Sequence, residues 1–137
     1  MEGTVIQLRL SERQLMEDEA RSHAPREACG FLAGREGRIE WVIPVTNIAE
    51  TADRYRMEPQ AQVRALHAIE DRGLDLLGVY HSHPRGPDRP SSLDRLEAEY
   101  PDTVHLIWSQ HDGAWSCRAF RFETKGTAEV RIEVTSG

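Results

Sequence analysis

Apolar residues recur along the chain in short bursts, and changes in their period mark the elements. The opening stretch Thr4–Leu10 only partly alternates, with Val5, Gln7 and Arg9 against Ile6, Leu8 and Leu10, and reads as an edge strand. Ser11 follows with Gln14 three residues on, a capping-box spacing, and Leu10 and Leu15 stand where a hydrophobic staple would close. A helix is predicted from there to about His23, stopping before Pro25 because the residue preceding a proline is driven from the α region. Residues 28–33 form an unbroken apolar run, the mark of a buried strand, and residues 34–37 supply a turn into a second strand over 38–45. Residues 46–58 mix polar and aromatic types and read as a long loop. Pro59 suits the first position of a second helix, with Val63, Leu66 and Ile69 along one side and Gly73 at its end. Residues 76–80 are another buried strand, which delivers the chain into His81-Ser82-His83. After a loop rich in Pro, Gly and Arg, Ser91–Tyr100 reads as a short helix closed by Pro101. Strands over 104–108 and 114–122 flank a His111-Asp112-Gly113 turn, and 128–134 is the last strand.

Strand and helix alternate through the middle and strands dominate the end, which predicts an α/β or α+β fold with a mixed sheet flanked by helices. At 137 residues the chain is expected to form a single domain over 1–137 with a core of its own. Seventeen basic against 23 acidic residues give a net charge of −6, the wrong sign for the electrostatic footprint of a nucleic-acid binder. No apolar run reaches the roughly 20 residues of a membrane span, and the opening residues lack the basic and apolar regions of a signal peptide. Two cysteines, Cys29 and Cys117, are too few for a disulfide scaffold and suit a reducing cytoplasm.

The chemistry concentrates in His81-Ser82-His83-Pro84 and Pro90-Ser91-Ser92-Leu93-Asp94. Residues two apart on a strand share a face, so His81 and His83 can present their imidazoles side by side. Two neutral imidazoles and one carboxylate suit a catalytic zinc that keeps a fourth position for water. The stiff turn over 84–90 can bring a new helix back to the strand end, with Ser91 as N-cap and Asp94 at the third helical position. Water-splitting chemistry also needs a base outside the metal set. Glu27, at the mouth of the strand over 28–33, is one choice among 23 acids, with apolar neighbours that would raise its pKa.

Residues Glu27 to Gly34, together with the two segments above, resemble the JAMM (MPN-plus) metalloproteases. Their signature is an upstream Glu, then His-x-His-Pro, then Ser-x-x-Asp, with ten residues between the second His and the Asp; Pro84 to Leu93 are those ten here. The resemblance implies a JAB1/MPN sandwich, related to cytidine deaminases, spanning most of the chain. It implies one zinc ion per chain on His81, His83 and Asp94, Glu27 as general base and Ser91 as oxyanion donor. It also implies a peptidase or isopeptidase that hydrolyses an amide after the Gly-Gly end of a ubiquitin-like or sulfur-carrier protein; the charge and the lack of an apolar span given above predict no nucleic acid and no membrane as partner.

The alternative is a catalytically silent MPN-type scaffold; such scaffolds have lost ligands, and this chain keeps the full set. A nucleobase deaminase would require a Pro-Cys-x-x-Cys segment, and an amidohydrolase barrel takes about 250 residues. Cys29 and Cys117 read as small buried hydrophobes. His23, His67, His105 and His111 read as surface or satisfied histidines, and Trp41, Trp108 and Trp115 as core. Arg85, Arg89 and the loop over 46–58 are candidates to flank a substrate tail.

Overall fold

The computed structural model describes residues 5–96 and 98–137; Thr4 of the first expected strand and Glu97 of the third expected helix lie outside them. The elements are β1 (Val5–Arg9), α1 (Leu10–His23), β2 (Cys29–Arg35), β3 (Arg38–Val45), α2 (Pro59–Asp71), β4 (Asp75–His83), α3 (Ser92–Leu96), β5 (Val104–His111), β6 (Ala114–Glu123) and β7 (Gly126–Thr135). The strands run β1-β3-β2-β4-β5-β6-β7 around a mixed sheet that closes on itself. Pairs β1–β3, β1–β7 and β4–β5 are parallel and the others antiparallel.

β1 is not an edge strand. It pairs with β7 from Val5↔Arg131 to Arg9↔Thr135 and meets β3 at Gln7↔Arg38. Its alternation looked imperfect because Leu10 belongs to α1; within β1, Ile6 and Leu8 are buried and Val5, Gln7 and Arg9 are not. Nor does Ser11 cap α1. The N-cap is Arg9, whose backbone N–H donates to Glu12 Oε1 at 2.9 Å while its guanidinium donates to Oε2 at 2.6 Å. Bonds to a charged acceptor are stronger than those to a hydroxyl, so the glutamate sets the helix start. The expected staple is also absent: Leu10 and Leu15 are 54% and 40% exposed, because α1 turns Glu12, Met16 and Ala20, four residues apart, toward the sheet.

α2 starts at Pro59 as the sequence predicts, with Glu58 accepting from the N–H groups of Gln60 and Ala61. Its buried face is Ala65 and Ile69, with Leu66 packed beside them; Val63 is 53% exposed, one position off the stripe. α3 is half its expected length. Beyond it Tyr100 meets the Phe31 ring edge-on, 5.4 Å between centroids, and its hydroxyl accepts from Gln62 Nε2 at 2.5 Å. That aromatic burial outweighs continued helix.

The sheet has a core on each face. Ile6, Leu8, Leu32, Tyr80, Leu106 and Trp108 pack with Met16 and Ala20 of α1. On the other face Cys29, Phe31, Ala33 and Val79 pack with Ala65 and Ile69 of α2. Each fully buried large apolar side chain contributes about 1.5–3 kcal/mol. Gly30 is required where β2 crosses between its neighbours, since a Cβ there would lie 2.4 Å from both the Ile43 carbonyl oxygen and the Tyr80 ring. The β2–β3 and β5–β6 hairpins turn on Glu36-Gly37 and Asp112-Gly113, both pairs with positive φ, the type I′ geometry whose twist matches the strands.

His105 on β5 is 2% exposed, stacks on Phe122 and donates to the Tyr100 carbonyl at 3.0 Å. Burial lowers its pKa from 6.5 to about 4. The unfolded chain therefore binds a proton that the folded chain refuses between those values, and stability falls as pH drops from about 6.5 through 4. The loss expected from this group is on the order of 3 kcal/mol. Urea unfolding of the wild type and of His105→Gln at pH 7 and pH 4 checks it: the variant should show the shallower pH dependence.

Candidate metal centre

Extended backbone at the end of β4 sends alternate side chains to opposite faces. Val79, His81 and His83 share the α2 side, whereas Tyr80 packs in the core under α1. Ser82, between the histidines, has a different task. Its hydroxyl accepts the Ala28 N–H at 2.8 Å and its own N–H donates to the Ala28 carbonyl at 3.0 Å. This clamp fixes the entry to β2, where Cys29 pairs with His81 and Glu27 lies just before the strand.

The turn over 84–90 then folds back. The Gly86 N–H donates to the His83 carbonyl at 2.9 Å, and His83 Nδ1 donates to the Pro87 carbonyl at 2.8 Å. Ser91 and Asp94 form a reciprocal capping box: Asp94 N–H donates to Ser91 Oγ at 3.0 Å and Ser91 N–H to Asp94 Oδ2 at 2.8 Å. The helix start thereby brings the carboxylate to the two imidazoles.

His81 Nε2 and His83 Nε2 lie 3.1 Å apart, and Asp94 Oδ2 is 3.3 Å from the first and 3.0 Å from the second. A tetrahedral shell with bonds of ~2.0–2.1 Å has edges of about 3.3 Å, so the three atoms are spaced as corners of such a shell. With Nδ1 of His83 committed as a donor, its Nε2 carries a lone pair when the ring is neutral. Atoms converging this closely repel unless a proton or a cation lies among them, and the donor set suits a divalent metal. Glu27 is drawn into the same cluster: one atom each of Glu27, His81 and His83 lie within 4.8 Å of one another.

Electrostatics separate the two carboxyls. Glu27 is 3% exposed and its Oε1 has no hydrogen-bond partner among the described residues. Burial pushes its pKa up to about 8, helped by the charges of Asp94 and Asp53 and opposed by His83. Asp94 is also buried, which works to raise its pKa, but hydrogen bonds from His81, His83 and the Ser91 N–H hold it well below the carboxylate range. Cys29 shares this face, yet burial and then Glu27 push its thiol up to about 12, and Sγ donates to the Val45 carbonyl at 3.4 Å. It packs as an inert hydrophobe.

A cleft of about 790 Å³ opens beside the cluster, between the loop over 46–58 and the side chains of Asp94, Glu99 and Tyr100, with Tyr55, Met57 and Val79 also among its lining. Asn47 ties this loop to the site. Its Nδ2 donates to the Glu27 carbonyl at 2.9 Å, and its Oδ1 accepts from the N–H groups of Ala49 and Arg56, each at 2.9 Å.

Residues 11–123 match the family model for prokaryotic homologs of the JAB domain. The chain belongs to that family. The desampylase of Haloferax volcanii is 39% identical to this JAB domain over 112 residues, 80% of each chain. The CysO-cysteine peptidase of Mycobacterium tuberculosis is 36% identical over 133 residues, 95% of this chain and 91% of its own. The solution structure of a Desulfitobacterium hafniense protein superposes with a TM-score of 0.87 at 32% identity, covering 96% of this chain and 94% of the other.

All five residues singled out in the sequence of this JAB domain fall at one end of β4. Arg85 and Arg89 do not line the cleft; both are exposed, and Arg89 pairs with Asp88, which also binds Arg118 at 2.9 Å. His23, His67 and His111 are exposed and His105 is satisfied by Tyr100. Trp108 and Trp115 are core, while Trp41 is half-buried under Arg72, whose guanidinium carbon lies 3.6 Å from its ring centroid. The sequence reading missed Asn47, Tyr55 and the role of Ser82. Their tie to the site is not local, since the contact that links each to it spans at least 20 positions.

Proposed function

We propose that this JAB domain is a zinc-dependent cytoplasmic peptidase or isopeptidase that hydrolyses the amide following the Gly-Gly end of a ubiquitin-like or sulfur-carrier protein. The observation that carries the reading is the convergence of His81 Nε2, His83 Nε2 and Asp94 Oδ2 within 3.0–3.3 Å beside the buried Glu27. The names of its relatives, a desampylase and a CysO-cysteine peptidase, support the substrate class. The complete donor set weighs against a silent scaffold.

His81, His83 and Asp94 would hold the metal. Zinc bound there would polarise the scissile carbonyl and lower the pKa of water toward about 7. Glu27 stands outside the three ligands with an oxygen that has no partner among the described residues; it accepts the proton of the attacking water and passes it to the leaving amine. Its apolar surroundings suit this exchange, because a pKa raised from the carboxylate range toward the working pH makes the carboxylate a better proton acceptor while the acid it forms can still protonate the leaving amine. Ser91 Oγ accepts from the Asp94 N–H, leaving its own hydroxyl proton to be donated to the oxyanion. The cleft beside the loop over 46–58 receives the chain on one side of the scissile bond.

The test is mass spectrometry of ubiquitin-fold carrier proteins, with and without residues beyond Gly-Gly, after incubation with zinc-loaded enzyme. Cleavage directly after the second Gly is expected, and cleavage elsewhere or none overturns the reading. Ser91→Ala should lower kcat about 10²–10³-fold with little change in KM, as for a contact made in the transition state. Loss of the cap should also cost about 1 kcal/mol of stability. Steady-state kinetics and thermal unfolding of the variant check both.

A further inference from the structure

The two histidines of the cluster are held differently. His83 has its Nδ1 anchored on the Pro87 carbonyl. His81 is 1% exposed, and its Nδ1 has no hydrogen-bond partner among the described residues. A metal-binding imidazole ordinarily gives its second nitrogen to a carbonyl or carboxylate, which fixes the ring's orientation. His81 lacks that anchor. What it has instead is Tyr55, whose ring stacks on it with centroids 4.5 Å apart and planes at 29°. Stacking at this distance restricts tilt and flip as a hydrogen bond would, but through ring area rather than through an N–H.

Tyr55 is itself well held. The Asn47↔Met57 bridge closes the base of its loop, Ile48 N–H donates to the Arg56 carbonyl at 2.8 Å, and Asn47 Oδ1 accepts the Arg56 N–H. Through the Asn47 amide the same loop is fastened to the backbone of Glu27. The loop therefore carries an aromatic plate braced on both sides against the metal cluster, and it presents the same ring to the cleft.

We infer that Tyr55 is a positioning residue for His81: its ring, not its hydroxyl, replaces the missing hydrogen bond and sets the imidazole for the metal. The inference rests on the zinc reading given above. Its scale follows from the effect of removing a ligand's supporting partner, about 10–100-fold in metal affinity.

Zinc affinity of Tyr55→Phe, Tyr55→Trp and Tyr55→Leu, measured by competition with a chromophoric chelator, tests it, alongside the melting temperature of each metal-free protein. Phe and Trp should bind as the wild type does. Leu should bind about 10–100-fold more weakly with an unchanged metal-free Tm, and the visible spectrum of its cobalt(II) form should differ from wild type. Wild-type affinity in Tyr55→Leu overturns the inference, as does an equal loss in Tyr55→Phe, which would assign the effect to the hydroxyl. Should Tyr55→Leu lose metal-free stability, the ring-bearing pair decides: retained affinity in both supports the inference and a tenfold loss in both overturns it. A wild-type chain that takes up no zinc overturns the metal reading beneath it, an outcome the variants do not produce.

Discussion

Glu27→Gln is expected to bind zinc one per chain and to turn over substrate about 10²–10⁴-fold more slowly, the span lost when a positioned general base is removed. The substitution isolates proton transfer. Glutamine has the same shape and is neutral, and without a metal charge beside it burial holds the Glu27 pKa up to about 8, so the metal-free site tolerates a neutral side chain there. Folding should therefore be unaffected. Metal content should be unaffected too, since His81, His83 and Asp94 meet one another without it. Metal analysis paired with single-turnover kinetics reads the two properties separately. Turnover at the wild-type rate would remove Glu27 from the proton path, and loss of zinc would make it a ligand instead.

The second large effect is metal removal. Chelation should abolish hydrolysis, and one equivalent of zinc should restore it. Stability should move with activity, because the donor set is assembled only in the folded chain. A ligand present at about 1,000 times its dissociation constant stabilises by ~4 kcal/mol. For a domain of this size that corresponds to a Tm difference on the order of 10–20 °C between zinc-loaded and metal-free protein. Calorimetry with and without chelator measures it; hydrolysis that persists in the metal-free protein would contradict the mechanism.

The convergence of His81, His83 and Asp94 was legible in the sequence because its geometry follows from local rules. Strand parity places His81 beside His83, and a capping box places Asp94 relative to Ser91. Glu27 was a different case: its position near the cluster depends on Ser82 clamping Ala28 across 54 positions, so residue type and neighbours alone left it one acid among many until the resemblance singled it out. Tyr55 and Asn47 stayed hidden for the same reason. In the fold, errors came where two local signals competed. Glu12 reaching back to Arg9 displaced the Ser11 cap, and Tyr100 packing on Phe31 ended a helix that the polar pattern would have carried further. The closure of β1 on β7 joins residues about 126 positions apart, and no local pattern announces such a pairing.

α3 has only five residues, too few to persist by intrinsic propensity. Its first turn is closed by Asp94, the same carboxylate that faces both imidazoles. Ordering of this segment and occupation of the cluster are thus one linked equilibrium: whatever draws Asp94 Oδ2 inward also winds the turn. Backbone amides at 91–96 are consequently the expected reporters of metal binding, and their hydrogen exchange should slow when zinc is added.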